Sequence, residues 1–107
     1  WEIAADNYFA KNTEFAHKFL SDWADSEFTQ PKGFAGYDSG ALQIHLLRTL
    51  IPSALQEIRV CDRIWHRAHN VDSYTTFVAC CKMALGATKL WPQKVRIYRR
   101  AHAWVSI

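Results

Sequence analysis

Apolar residues recur with helical spacing over most of this chain. The stretch at residues 2–11 alternates imperfectly, carries Ile3, Tyr8 and Phe9, and reads as a strand. Asn12 or Thr13 is then placed to cap a helix with apolar positions Phe15, Ala16, Phe19, Leu20, Trp23 and Ala24. That spacing makes one buried face, with His17, Lys18, Asp22 and Asp25 largely on the other side. Residues 28–37 break the pattern. Pro31, Gly33 and Gly36 punctuate a loop that also holds Phe28, Phe34 and Tyr37, aromatics that either anchor the loop or line a site.

A second helix is expected from about Asp38 to Ile51. Leu42, Ile44, Leu46, Leu47, Leu50 and Ile51 make it apolar on most sides, so it should be deeply buried, and Pro52 ends it. A third runs from about Ala54 to His69 with the stripe Leu55, Ile58, Cys61, Trp65 and Ala68, while Arg59, Arg63 and Arg67 repeat along a different, exposed face. A fourth spans about Ser73 to Leu85, turns Tyr74, Phe77, Val78, Cys81 and Ala84 inward, and stops at Gly86. After Pro92, residues 94–98 alternate like a strand. The expected order is β-α-α-α-α-β, an α/β arrangement in which the first and last elements could share a sheet. Two strands alone make a poor sheet, so this order implies further strands in the native fold.

Half of the 107 residues are hydrophobic and 21% are charged, the balance of one small globular domain or a piece of a larger one. Charge changes this picture more than composition does. Residues 1–38 hold seven acidic and three basic side chains, and residues 39–107 hold three acidic and ten basic ones. An acidic front and a basic back fit an anionic ligand at the back, or two solvated faces. No apolar run approaches membrane-spanning length, and no signal-peptide pattern is present.

The three cysteines, Cys61, Cys80 and Cys81, leave two states open: one disulfide with a free thiol, or a fully reduced set. Together with His66 and His69 they could suggest zinc, but CxxC knuckles are absent and no metal ligands are assigned. Asp38-Ser39-Gly40 carries two readings as well. Asp38 can cap the second helix, or it can present a carboxylate to sugar hydroxyls where Gly40 lets the backbone approach a ligand.

The run from Trp1 to Leu20 resembles the wording W-E-I-A-A-G-S-Y-…-R-N-T-E-…-F-L of a nematode-expanded family of glycosyltransferase-like proteins, catalogued as a domain of unknown function. Residues 34–42 resemble its F-H-G-T-D-N-G-A-L. Residues 61–65, 77–80 and 94–97 are similar to further family phrases, so the resemblance spans nearly the whole chain. That family in turn resembles Golgi galactosyl- and mannosyltransferases of the GT-A, nucleotide-diphospho-sugar transferase type.

The resemblance implies that residues 1–107 are the C-terminal part of a GT-A fold, with the nucleotide-binding half missing before Trp1. It implies transfer of a sugar from a nucleotide-sugar to a hydroxyl of a glycan or glycoprotein, this chain supplying the acceptor side and a wall of the donor-sugar pocket. Alone, the segment is expected to be inactive. A divalent metal, manganese, is implied on an Asp-x-Asp motif. This chain has none, only Asp22 and Asp25 one residue further apart, so the ligands are expected outside it. The location implied is the Golgi or secretory lumen, with any membrane attachment through an upstream anchor.

Carried over residue by residue, Asp38 is the catalytic, sugar-contacting candidate, with Asn7, Ser39 and Gly40 binding substrate. Asn7 stands where the family has Ser, and Ser39 where Asn or Gln is usual. Asp6 replaces a Gly and would crowd a donor sugar, and Ala35 replaces a His. These two departures motivate the alternative, a degenerate glycan-binding or interaction domain. In the basic tail of Lys89, Lys94, Arg96, Arg99 and Arg100, the resemblance implies that Lys94 and Arg96 face the diphosphate. It also implies a disulfide between Cys61 and Cys80. No nucleic-acid motif is present, which ranks nucleic acid below a nucleotide-sugar as partner.

Overall fold

A computed structural model describes residues 8–26, 38–98 and 105–107. The architecture is mixed α/β. Strand β1 (Tyr8–Phe9) leads into four helices, α1 (Glu14–Asp25), α2 (Asp38–Leu50), α3 (Leu55–Arg67) and α4 (Val71–Leu85). Three strands follow: β2 (Leu90–Trp91), β3 (Val95–Ile97) and β4 (Val105–Ser106). The expected strand near residue 95 is β3; β2 and β4 are additions to the expected order, two residues each and too short to show a period. The segment 1–7, the loop 28–37 and residues 99–104 lie outside the described residues.

Local chemistry sets the helix ends. Thr13 has extended φ, and its Oγ accepts from Ala16 N–H at 3.1 Å, so α1 starts with one of its orphan amides satisfied. Asn70 and Ser73 form a capping box at α4: Ser73 N–H donates to Asn70 Oδ1 at 2.8 Å and Asn70 N–H donates to Ser73 Oγ at 3.1 Å. Gly86 closes that helix at φ 71°, ψ −154°, a backbone state essentially restricted to glycine.

Helix α2 is the centre of the core. Ala41, Leu42, Ile44, Leu46 and Leu47 are each at most 2% exposed, and α2 packs against α1, α3 and α4. Each of its fully buried leucines contributes about 2 kcal/mol of transfer free energy. The α3–α4 pair is fastened by Trp65 stacked on Phe77, with centroids 5.6 Å apart, and by a disulfide between Cys61 and Cys80. Cys81 is buried and free. Two expected inward positions differ: Leu55 and Ala24 are exposed. Leu55 begins α3, and the buried stripe starts one turn later, at Ile58.

The sheet order is β1-β4-β3-β2. β4 pairs parallel with β1 (Tyr8 opposite Val105) and antiparallel with β3 (Arg96 opposite Ser106), and β3 pairs antiparallel with β2. Val95, Ile97 and Val105 are buried with the helices, whereas Arg96 between them is exposed. The sheet thus has an apolar face turned to the helices and a face carrying Phe9, Arg96 and Ser106 turned away.

Candidate functional site

The outward sheet face floors a cleft of about 380 Å³, lined among others by Lys11, Thr13, Trp91, Lys94, Arg96 and Tyr98. Each group is placed by a separate local rule. Lys11 follows β1 and is held by the continuation of the β1–β4 ladder: Ile107 N–H donates to Phe9 O at 2.8 Å, and Lys11 N–H donates to Ile107 O at 2.9 Å. Thr13 is the N-cap of α1, so the positive end of that helix meets the same space. Arg96 points outward because its neighbours Val95 and Ile97 must point in.

Lys94 is set by a tight turn. Lys94 N–H donates to Trp91 O at 3.0 Å, Pro92 fills the second position and Gln93 takes φ 61° at the third, the pattern of a type II turn. Tyr98 lies under the Arg96 guanidinium, 4.8 Å from ring centroid to charge, and stands edge-to-face with Phe9 at 6.1 Å. That stacking holds the guanidinium plane against an aromatic wall.

Lys11, Lys94 and Arg96 are the cations of the cleft, and no acidic side chain lines it among the described residues. None of the three is in an ion pair with another described residue. Three like charges around one concavity repel and together attract negative charge. Trp91 and Tyr98 also line the cleft, Trp91 packed against the core and Tyr98 under the Arg96 guanidinium.

The structure therefore gathers Lys94 and Arg96 in one cleft and adds Lys11, which sits in the acidic front half of the sequence. Lys89 does not line the cleft. Gly40 is buried in the first turn of α2, the helix whose backbone Asp38 opens. The side chains of Asp38 and Ser39 lie outside the described residues, as do Asn7, Asp6, Ala35, Arg99 and Arg100. Among the described residues, no group of three His, Cys, Asp or Glu side chains could hold a metal ion, and no helix is long and apolar enough to cross a membrane. Cys61 and Cys80 are bonded to each other, and His66 and His69 each have Nδ1 on a backbone carbonyl.

Thr13, Trp91 and Tyr98 carried no site signal in the sequence; only the sheet register brings them together. Residues 1–106 match the family described as Protein of unknown function, DUF273, and the chain belongs to that family. No curated protein and no solved structure matches it.

Proposed function

We propose that the chain is part of a GT-A-like glycosyltransferase and that its basic cleft holds the diphosphate of a nucleotide-sugar. The observation that carries this reading is the convergence of Lys11, Lys94 and Arg96, with no acidic side chain among the described lining residues, beside Trp91 and Tyr98. When the bond from the anomeric carbon to the diphosphate oxygen breaks, its electron pair stays on the leaving group. Fixed cations there stabilise the charge as it develops. The acceptor hydroxyl, from a glycan or glycoprotein, forms the new bond to the anomeric carbon, and its proton passes to the departing diphosphate.

Among the described residues no carboxylate lines the cleft and no cluster could take an ion, which accords with ligands for the implied manganese lying elsewhere. On this chain the cations supply the charge stabilisation. Asp38 is the proposed sugar-contacting carboxylate, with Asn7, Ser39 and Gly40 beside it. The Cys61–Cys80 disulfide supports an oxidising compartment, as the Golgi or secretory lumen is.

The test is thermal unfolding with UDP- and GDP-sugars, with and without manganese, on wild type and on the Lys94→Ala/Arg96→Ala double variant. A midpoint raised by the nucleotide-sugars in wild type alone supports the reading. No shift, or an equal shift from inorganic sulfate, overturns it. Transfer that survives in Asp38→Asn would remove Asp38 from the site. Binding without transfer in the longest native protein would favour the degenerate glycan-binding domain that Asp6 and Ala35 suggest.

A further inference from the structure

A second cavity, of about 240 Å³, opens on the helical side of the molecule between the end of α1, one face of α2 and α3. Its polar lining comes from His45 and Arg48 on α2, Asp62 and His66 on α3, and Ser26 at the end of α1; Ile44 and Trp65 supply apolar wall. No residue of this set belongs to the basic cleft. Asp62 is its electrostatic hub. Its Oδ1 accepts from Arg48 Nη2 at 3.4 Å and stands 3.6 Å from His66 Nδ1.

The two imidazoles have defined tautomers. His45 Nε2 lies 2.8 Å from Phe19 O, and His66 Nδ1 lies 2.8 Å from Asp62 O. A carbonyl oxygen can only accept, so each of these nitrogens carries the hydrogen. In the neutral rings this leaves His45 Nδ1 and His66 Nε2 as acceptors. Burial holds His45 below the ordinary histidine range, so it is neutral at pH 7.

The pocket thus offers several acceptors and one strong fork of donors, with the Arg48 charge offset by Asp62; the Ser26 hydroxyl donates to the Trp23 carbonyl at 2.6 Å. That set suits neither a free anion nor a free cation. It matches a ligand whose many hydroxyls both donate and accept. The volume lies below the range of drug-sized sites and fits one small ring.

We propose that this cavity is a second binding site, taking a single neutral sugar ring through hydroxyl contacts to Asp62, Arg48 and the two histidines. It stands independently of what the basic cleft binds. The test titrates the methyl glycosides of glucose, galactose and mannose into the intact, disulfide-bonded chain and follows amide and imidazole resonances. The expected result is saturable shifts at His45, Asp62, Trp65 and His66 from at least one glycoside, with a dissociation constant on the order of 1 mM.

Asp62→Asn and Arg48→Leu should each weaken that binding about tenfold while the rest of the spectrum stays native, a loss typical of a charged hydrogen-bond partner. Lys94→Ala/Arg96→Ala should leave it unchanged. Absence of shifts with all three glycosides, shifts confined to other residues, or displacement of the signal by inorganic sulfate alone would overturn the proposal.

Discussion

His45 Nε2 donates to the Phe19 carbonyl oxygen at 2.8 Å while its ring lies 4.3 Å from the Phe19 ring. One histidine thereby fastens α2 to α1 twice, by a hydrogen bond and by ring contact. Desolvation lowers its pKa from the ordinary 6.5, outweighing the Phe19 bond. Above that ordinary value the folded and unfolded chains both hold His45 neutral, and its contribution is fully present. As pH falls below it, the unfolded state takes the proton first, and stability drops until the folded ring also protonates. Wild type should therefore lose unfolding midpoint as pH falls below the ordinary 6.5. His45→Gln should start less stable and show a flatter slope over that window. Equal slopes would mean that other groups set the pH response.

The α3–α4 pair depends on the Cys61–Cys80 link, which joins residues 19 apart in sequence. Closing a loop of that size stabilises the native state by about 3 kcal/mol. The Cys61→Ala/Cys80→Ala variant should lose that amount in urea unfolding. Cys81 is 1% exposed, and burial pushes its thiol up to about 12, so it should resist alkylation until the chain unfolds. Non-reducing peptide mapping should return a 61–80 linked pair and an unmodified Cys81; three freely alkylated thiols in the native protein would contradict this.

Two backbone positions should respond in opposite directions. Gly86 has φ 71° with nothing within 4 Å of where a Cβ would sit, so Gly86→Ala suffers from backbone strain and not from collision. The expected loss is about 1–3 kcal/mol. Gln93 already bears a positive φ of 61° in the β2–β3 turn. Gln93→Gly relieves it, offset by unfolded-state entropy, for a net gain of about 0.5 kcal/mol. Paired denaturant curves check both signs.

In the basic cleft, Lys11→Ala should weaken binding of a nucleoside diphosphate as much as Lys94→Ala does, about 1 kcal/mol or roughly fivefold in Kd. Affinity should fall steadily with added salt in wild type and less steeply in each variant. A Lys11 variant indistinguishable from wild type would detach β1 from the site.

The four helices were legible because their signals are local: caps at Thr13, stops at Pro52 and Gly86, and stripes such as Ile58, Cys61 and Trp65. What was not legible is relational. Leu90–Trp91 and Val105–Ser106 are two residues each, and only partner strands make them β2 and β4. His45 sits in a run that reads as apolar, and its role depends on a carbonyl 26 residues away in sequence. Lys94 and Arg96 stood out as a basic run, yet Lys11 belongs with them through the sheet register alone. The side chain of Asp38, the strongest motif in the sequence, lies outside the described residues.

The sheet order also sets a timetable. β4 lies between β1 and β3, so during synthesis β1 and the β2–β3 hairpin wait as separate, open-edged pieces until residues 105–107 arrive. Helix packing among α2, α3 and α4 uses nearer neighbours and can precede it. In refolding, helical signal should appear before hydrogen-exchange protection at the Lys11 and Ile107 amides, the two bonds that finish the ladder. Simultaneous protection would show a single cooperative step. The basic cleft is thus incomplete until residues 105–107 have been made, and a chain still short of them has no means of binding through it.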